Sequence, residues 1–263
     1  MLLHLSSLMD DPLSFIINLL YLIPAILVSL TLHELSHGYV ALRCGDPTAQ
    51  MLGRLSFNPM RHLDPIGTAS MLLIGIGWAR PVPVNPRNYK NFKRDDILVS
   101  GAGIAMNLLL FFVGTVLAVL CARLMLTDDI LSQIGGSRLF MRASMFAPET
   151  VGEILLDWSR RTDILQRAWL QYPYRFLNVF CQVNASLAIF NFLPVPPLDG
   201  YHIFNDILFG GRIRITRRVM QVVLIAFLVI NFATDWISTV IYYAVTGLQN
   251  AALFVVLPLF GMA

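Results

Sequence analysis

Residues 12–32, 97–122 and 176–198 carry no charged side chain, and each run is about the ~20 residues a helix needs to cross a hydrocarbon core. In lipid every backbone N–H and C=O must find its partner within the protein, so runs of this kind fold as helices. Two further apolar runs, 219–234 and 236–263, flank Asp235 and make either one long span or two short ones. The stretch 67–78, GTASMLLIGIGW, is apolar but too short to cross, and reads as a re-entrant or interfacial segment. Hydrophobic residues make up 56% of the chain and charged ones 13%, against roughly 25% charged in soluble domains. The expected fold class is an all-α polytopic membrane protein. We expect a bundle of about five or six transmembrane or re-entrant helices, with a small β-like segment in the cytoplasmic loop after the first span. The expected organisation is a single membrane-embedded domain over 1–263, with spans at about 12–43, 97–122, 176–198 and 219–260, and an extracytoplasmic insert at 124–175.

Charge sets the orientation. Arg43, Arg54, Arg61, Arg80, Arg87, Lys90, Lys93 and Arg94 lie between the first two spans, and Arg212, Arg214, Arg217 and Arg218 follow the third. Alternating spans put both clusters on one side, which the positive-inside rule makes cytoplasmic. The formal net charge of +3 comes from these flanks, and no basic stripe interleaves aromatics, so a nucleic-acid partner is set aside. Cys44, Cys121 and Cys181 are odd in number and form no CxxC pair, which supports neither a disulfide framework nor a thiolate metal site. Asp10 and Asp11 stand where a cleavable signal has its basic region, so the first run is expected to stay as a membrane helix.

Within that setting, SLTLHELSHGYVAL at 29–42 is out of place, because an ionisable residue at membrane depth is costly and function is its default explanation. On a helix His33 and His37, four apart, share a face and can hold one zinc ion, while Glu34 flanks them within reach of a water. Zinc lowers the pKa of water to about 7, and a neighbouring carboxylate can take the proton and hand it to a leaving amine. Two histidines leave zinc short of its usual three protein ligands. His4, His62, His202 and Asp199 are the candidates. Asp199 is preferred because Pro194, Pro196 and Pro197 end the third helix and fix an extended approach, and Gly200 gives the backbone freedom directly after it.

Together, HELSH in the first span, GWARPVPVNPRNYKN at 77–91 and NFLPVPPLDG at 191–200 resemble the site-2 protease family of intramembrane zinc metalloproteases, in its small form without a PDZ domain. The resemblance covers about residues 30–205 in the family's order. It implies that His33, His37 and Asp199 bind one Zn2+ per chain, that Glu34 is general base and acid, and that Asn191 positions the substrate backbone. It further implies that the substrates are unwound transmembrane segments of other proteins, met in the lipid bilayer of the plasma membrane, with the active site toward the cytoplasm. Where the family reads Ala-Gly-Pro and then Asn, this chain reads AGIAMN, with Ile104 in the proline's place and Asn107 retained.

The remaining polar and small residues have structural readings. Asn107 is expected to hydrogen-bond a neighbouring helix, Asp235 to mark a span boundary, and Gly101 and Gly103 to permit close helix contact. RPVPVNP at 80–86 is either an edge that pairs with an unwound substrate or a rigid loop. The alternative function is a membrane metal-ion carrier using the same His, Glu and Asp residues. Against it stand the absence of an inverted repeat and the presence of Glu34 beside a ligand histidine.

Overall fold

The computed structural model describes residues 12–65, 67, 79–133, 137–146, 154–155, 158, 164–213, 215–234 and 236–261. Nearly all of the re-entrant stretch expected at 67–78, together with His4 and Asp235, lies outside them. The described residues are mostly helical. The main helices are α1 (Pro12–Cys44), α2 (Phe92–Met125), α3 (Gln171–Phe192), α4 (Asp199–Phe209), α5 (Arg217–Thr234) and α6 (Trp236–Val256). Three helical stretches are long and apolar enough to cross a membrane: Pro12–Cys44, Phe92–Met125 and Thr239–Phe260. The chain is thus a membrane protein.

At 33 residues, α1 is about 50 Å long, which exceeds a ~30 Å hydrocarbon core and lets its histidine-bearing end reach beyond it. The span expected at 176–198 is the helix α3, but it is not among the strongly apolar ones. It buries Gln171, Arg175, Asn178 and Asn184, because it packs against α1, α2 and α6. A helix surrounded by protein can carry polar groups that a lipid-facing one cannot. After residue 216 the chain forms two helices, α5 and α6. The ends of α2, α3 and α6 enclose the largest apolar cluster, including Met125, Tyr174 and Leu253. Part of the stretch between the second and third expected spans packs into it: Phe140, Met141 and Met145 of the short helix Ser137–Phe146, with Leu155, Ile164 and Leu165.

Helix α2 runs unbroken through Ile104, as expected of a chain without the family's proline there. Its start is fixed by reciprocal capping: Asn91 Oδ1 accepts from Arg94 N–H at 3.3 Å and Asp95 Oδ2 accepts from Asn91 N–H at 2.8 Å. Among the described residues there is no β-sheet, only isolated antiparallel bridges such as Leu63 with Ala79. Residues 80–85 run on without forming a strand. Pro81 and Pro83 remove the donors a ladder needs. Asp46 holds this run in place by taking Asn85 N–H at 2.6 Å, Asn88 Nδ2 at 2.8 Å and Thr48 N–H at 3.1 Å. Burial acts to raise the Asp46 pKa, but these bonds outweigh it and hold the carboxyl below its ordinary value.

Candidate metal centre

His33 and His37 sit one helical turn apart on the inner face of α1, and Asp199 is the first residue of α4. What brings the two together is Gly200. A Cβ there would lie 2.3 Å from Phe192 O and 2.5 Å from Leu193 O, so only glycine lets α4 fold back over the end of α3. The His33 and His37 Nε2 atoms are 3.1 Å apart, and Asp199 Oδ2 lies 3.4 Å from the first and 3.3 Å from the second. A tetrahedral zinc with bonds of about 2.0–2.1 Å holds its ligands about 3.3 Å from one another. The three atoms therefore match three corners of such a site. Asp199 Oδ2 is buried and makes no hydrogen bond to the described residues, and His33 is 5% exposed, so the donors face each other rather than water. They are also the one group of potential metal ligands of this kind among the described residues.

Helix α2 closes the side of this site. A Cβ on Gly103 would fall 2.4 Å from both His33 Cε1 and His37 Nε2, so the two rings occupy the space a side chain would take. Val99 O, one turn earlier, lies 2.7 Å from His37 Nδ1 and accepts its proton when Nε2 points at the other donors. Gly101, expected to permit a similar approach, has nothing within 4 Å of its Cβ position and plays no such part.

Glu34 is 8% exposed, and its Oε2 accepts the Val82 N–H at 2.8 Å. Val82 stands between Pro81 and Pro83, so the single donor of this Pro-Val-Pro unit is spent on Glu34. The other candidate ligands lie elsewhere. His62 Nε2 bonds Ser56 O at 2.7 Å. His202 Nδ1 lies 3.5 Å from Asp96 Oδ2, beside a second buried acid, Asp206. Asn191 donates to Leu187 O within its own helix at 3.0 Å. All three cysteines are free.

Sequence reading expected a close helix contact at Gly103, though not that it cradles the two imidazoles, and it missed the Glu34–Val82 bond and the Asp96–His202–Asp206 group. Of these only the cradle left a local signal, a glycine four residues before a buried asparagine in an apolar helix.

The sequence profile of peptidase family M50 matches residues 21–233. The candidate zinc metalloprotease YwhC of Bacillus subtilis (strain 168) is 39% identical over 191 residues, which are 73% of this chain and 70% of that protein. The candidate zinc metalloprotease Rip2 of Mycolicibacterium smegmatis (strain ATCC 700084 / mc(2)155) is 28% identical over 195 residues, which are 72% of this chain and 58% of that protein. No solved structure matches the chain significantly.

Proposed function

This chain belongs to peptidase family M50, and from that premise we propose that it is an intramembrane zinc metalloendopeptidase, cutting peptide bonds within or near the transmembrane segments of other proteins. The observation that carries the assignment to residues is the triangle of His33 Nε2, His37 Nε2 and Asp199 Oδ2, with sides of 3.1 to 3.4 Å, between membrane-length helices. One zinc ion held there would supply Lewis acidity, lowering the pKa of water and polarising a carbonyl. The metal-carrier alternative has no observation in its favour.

Glu34 is the general base and acid. It follows a ligand histidine directly, takes the proton of the attacking water and passes it to the leaving amine. Its bond from Val82 N–H fixes the carboxylate through Oε2 and leaves Oε1 outside that bond. A transmembrane helix hides its carbonyls in its own hydrogen bonds, so the substrate must unwind before it is cut. Asn191 is the residue we assign to the exposed substrate backbone. Its place eight residues before Asp199 and its partial burial support this role. We further infer a single domain over 1–263 in the plasma membrane, with the site toward the cytoplasm. The basic flanks at 43–94 and 212–218 support that orientation.

The test uses the purified full chain in lipid nanodiscs with a model single-span protein. Cleavage that stops on chelation and returns with zinc supports the reading. Zinc-loaded protein that cuts no single-span substrate, yet moves zinc across a liposome bilayer, would reverse it. Reporters at Lys90 and near Glu149 test the orientation, which requires the first to be cytoplasmic and the second to be outside.

A further inference from the structure

At the start of α2 an open cleft of about 380 Å³ is lined by Asn91, Lys93, Arg94, Ile97 and Leu98. Its size falls in the roughly 300–1,000 Å³ range of small-ligand sites, and none of the metal-centre residues lines it. Basic and apolar side chains share the lining, which suits a ligand with an anionic head and a hydrocarbon tail.

The charge around the cleft is one-sided. Arg87, Lys90, Lys93 and Arg94 are all exposed, whereas the two acids that follow, Asp95 and Asp96, are turned inward at 3% and 8% exposure. Asp95 Oδ2 takes Asn91 N–H at 2.8 Å and Asp96 Oδ2 lies 3.5 Å from His202 Nδ1, so both acids are engaged within the protein. Arg94 Nε reaches Asp95 Oδ1 only at 3.8 Å, and its side chain stays 74% exposed. Lys93 and Arg94 closely precede the charge-free run at 97–122, which sets them at the level of the lipid headgroups. A cluster of basic residues at the end of a membrane helix is the chemistry that recognises anionic phospholipids. Lys90 marks the edge of the site: its N–H bonds Cys44 O at 3.1 Å, and its Cγ lies 3.4 Å from the Gly45 Cβ position, at the end of α1.

The apolar half of the cleft continues into the bilayer. Leu98, Leu108, Leu109 and Phe112 are exposed on a helix of membrane length, so this face of α2 meets lipid. Between Leu98 and Leu108, Gly101 and Ala105 recur at helical spacing, and a Cβ on Gly101 would meet nothing within 4 Å. The face therefore carries a shallow channel leading from the cleft along the helix. It lies behind the metal centre, because Val99 and Gly103, which touch the imidazoles, each stand two residues from Gly101, about 200° around the helix. We infer that the cleft seats the phosphate of an anionic phospholipid between Lys93 and Arg94, with an acyl chain lying along Gly101 and Ala105. The site is independent of the protease reading and requires only that α2 crosses the membrane.

The experiment uses the full chain in neutral detergent and counts bound lipid by native mass spectrometry as dioctanoyl phosphatidylglycerol is added. Dioctanoyl phosphatidylcholine is expected to bind about tenfold more weakly. Lys93→Gln with Arg94→Gln is expected to weaken phosphatidylglycerol binding about 10–30-fold. Arg87→Gln with Lys90→Gln removes the same charge outside the cleft and should change affinity less than about threefold, since exposed charges are screened. Gly101→Leu fills the channel without altering a charge; it should weaken binding about tenfold, and it reads independently if the first variant does not fold. Equal losses in the two double variants overturn the proposal, because the attraction is then diffuse. Equal binding of the two lipids overturns it as well, as does wild-type affinity in Gly101→Leu. Glycerol 3-phosphate carries the phosphate without the chains, and binding as tight as that of the lipid would assign the cleft to a soluble phosphate instead.

Discussion

Glu34 Oε2 accepts the backbone N–H of Val82 at 2.8 Å, across 48 residues of sequence. The bond joins the helix that carries His33 and His37 to a proline-fixed run, and it anchors the carboxylate that follows His33. This link sharpens what a change at Glu34 tests. Glutamine can still accept the Val82 N–H through its amide oxygen but cannot act as a base. Glu34→Gln is therefore expected to fold, retain zinc and lose about 10²–10⁴-fold in cleavage rate, the usual worth of general acid–base help. Zinc content measured beside turnover of a single-span substrate checks this, and full turnover by the zinc-loaded mutant would remove Glu34 from the mechanism.

Gly103→Ala is expected to abolish zinc binding or sharply weaken it, because the added methyl meets His33 Cε1 and His37 Nε2 at 2.4 Å and must displace one ring. Gly101→Ala, with nothing within 4 Å, is the matched control and should behave as wild type. Equal zinc content in the two variants would contradict the cradle.

Asp199→Ala is expected to lower zinc affinity, while His62→Ala and His202→Ala should leave it near wild type, since those rings bond Ser56 O and face Asp96. Chelator competition across the three variants decides which group completes the triangle.

Asp206 makes a pH prediction. Burial first, then a hydrogen bond and charge from Asp96, push its pKa up to about 6, against the opposing pull of His202 and Lys93. Between about pH 4 and pH 6 the folded chain keeps a proton that the unfolded chain releases, so this stabilisation is present at acid pH and is lost as pH rises through about 6. His202, raised chiefly by its hydrogen bond to Asp96, slopes the same way. Asp206→Asn stays neutral at every pH. Its melting temperature in detergent should gain on wild type as pH rises from about 4 to about 7. Parallel curves for the two proteins would refute the assignment.

Much of this protein is legible in one dimension. Charge-free runs of bilayer length locate membrane helices because lipid leaves the backbone no other partner. His33, Glu34 and His37 declare one face because a helix repeats every 3.6 residues. Asp199 could be nominated, since prolines stop a helix and the residue after them begins a new approach. Tertiary structure decided what depends on pairs distant in sequence. Gly103 matters because α2 meets α1 there, whereas Gly101, two residues away on the same helix, touches nothing within 4 Å. Val82 serves Glu34 rather than a strand partner because Asp46 ties down the run that carries it. Asn107 read from sequence as a residue bonding a neighbouring helix, but in the structure it is fully buried and neither of its amide atoms has a partner among the described residues. Local sequence fixes periodicity and breaks in the chain, but the donors and acceptors that orient a metal ligand are supplied across helix contacts, and no local pattern encodes those.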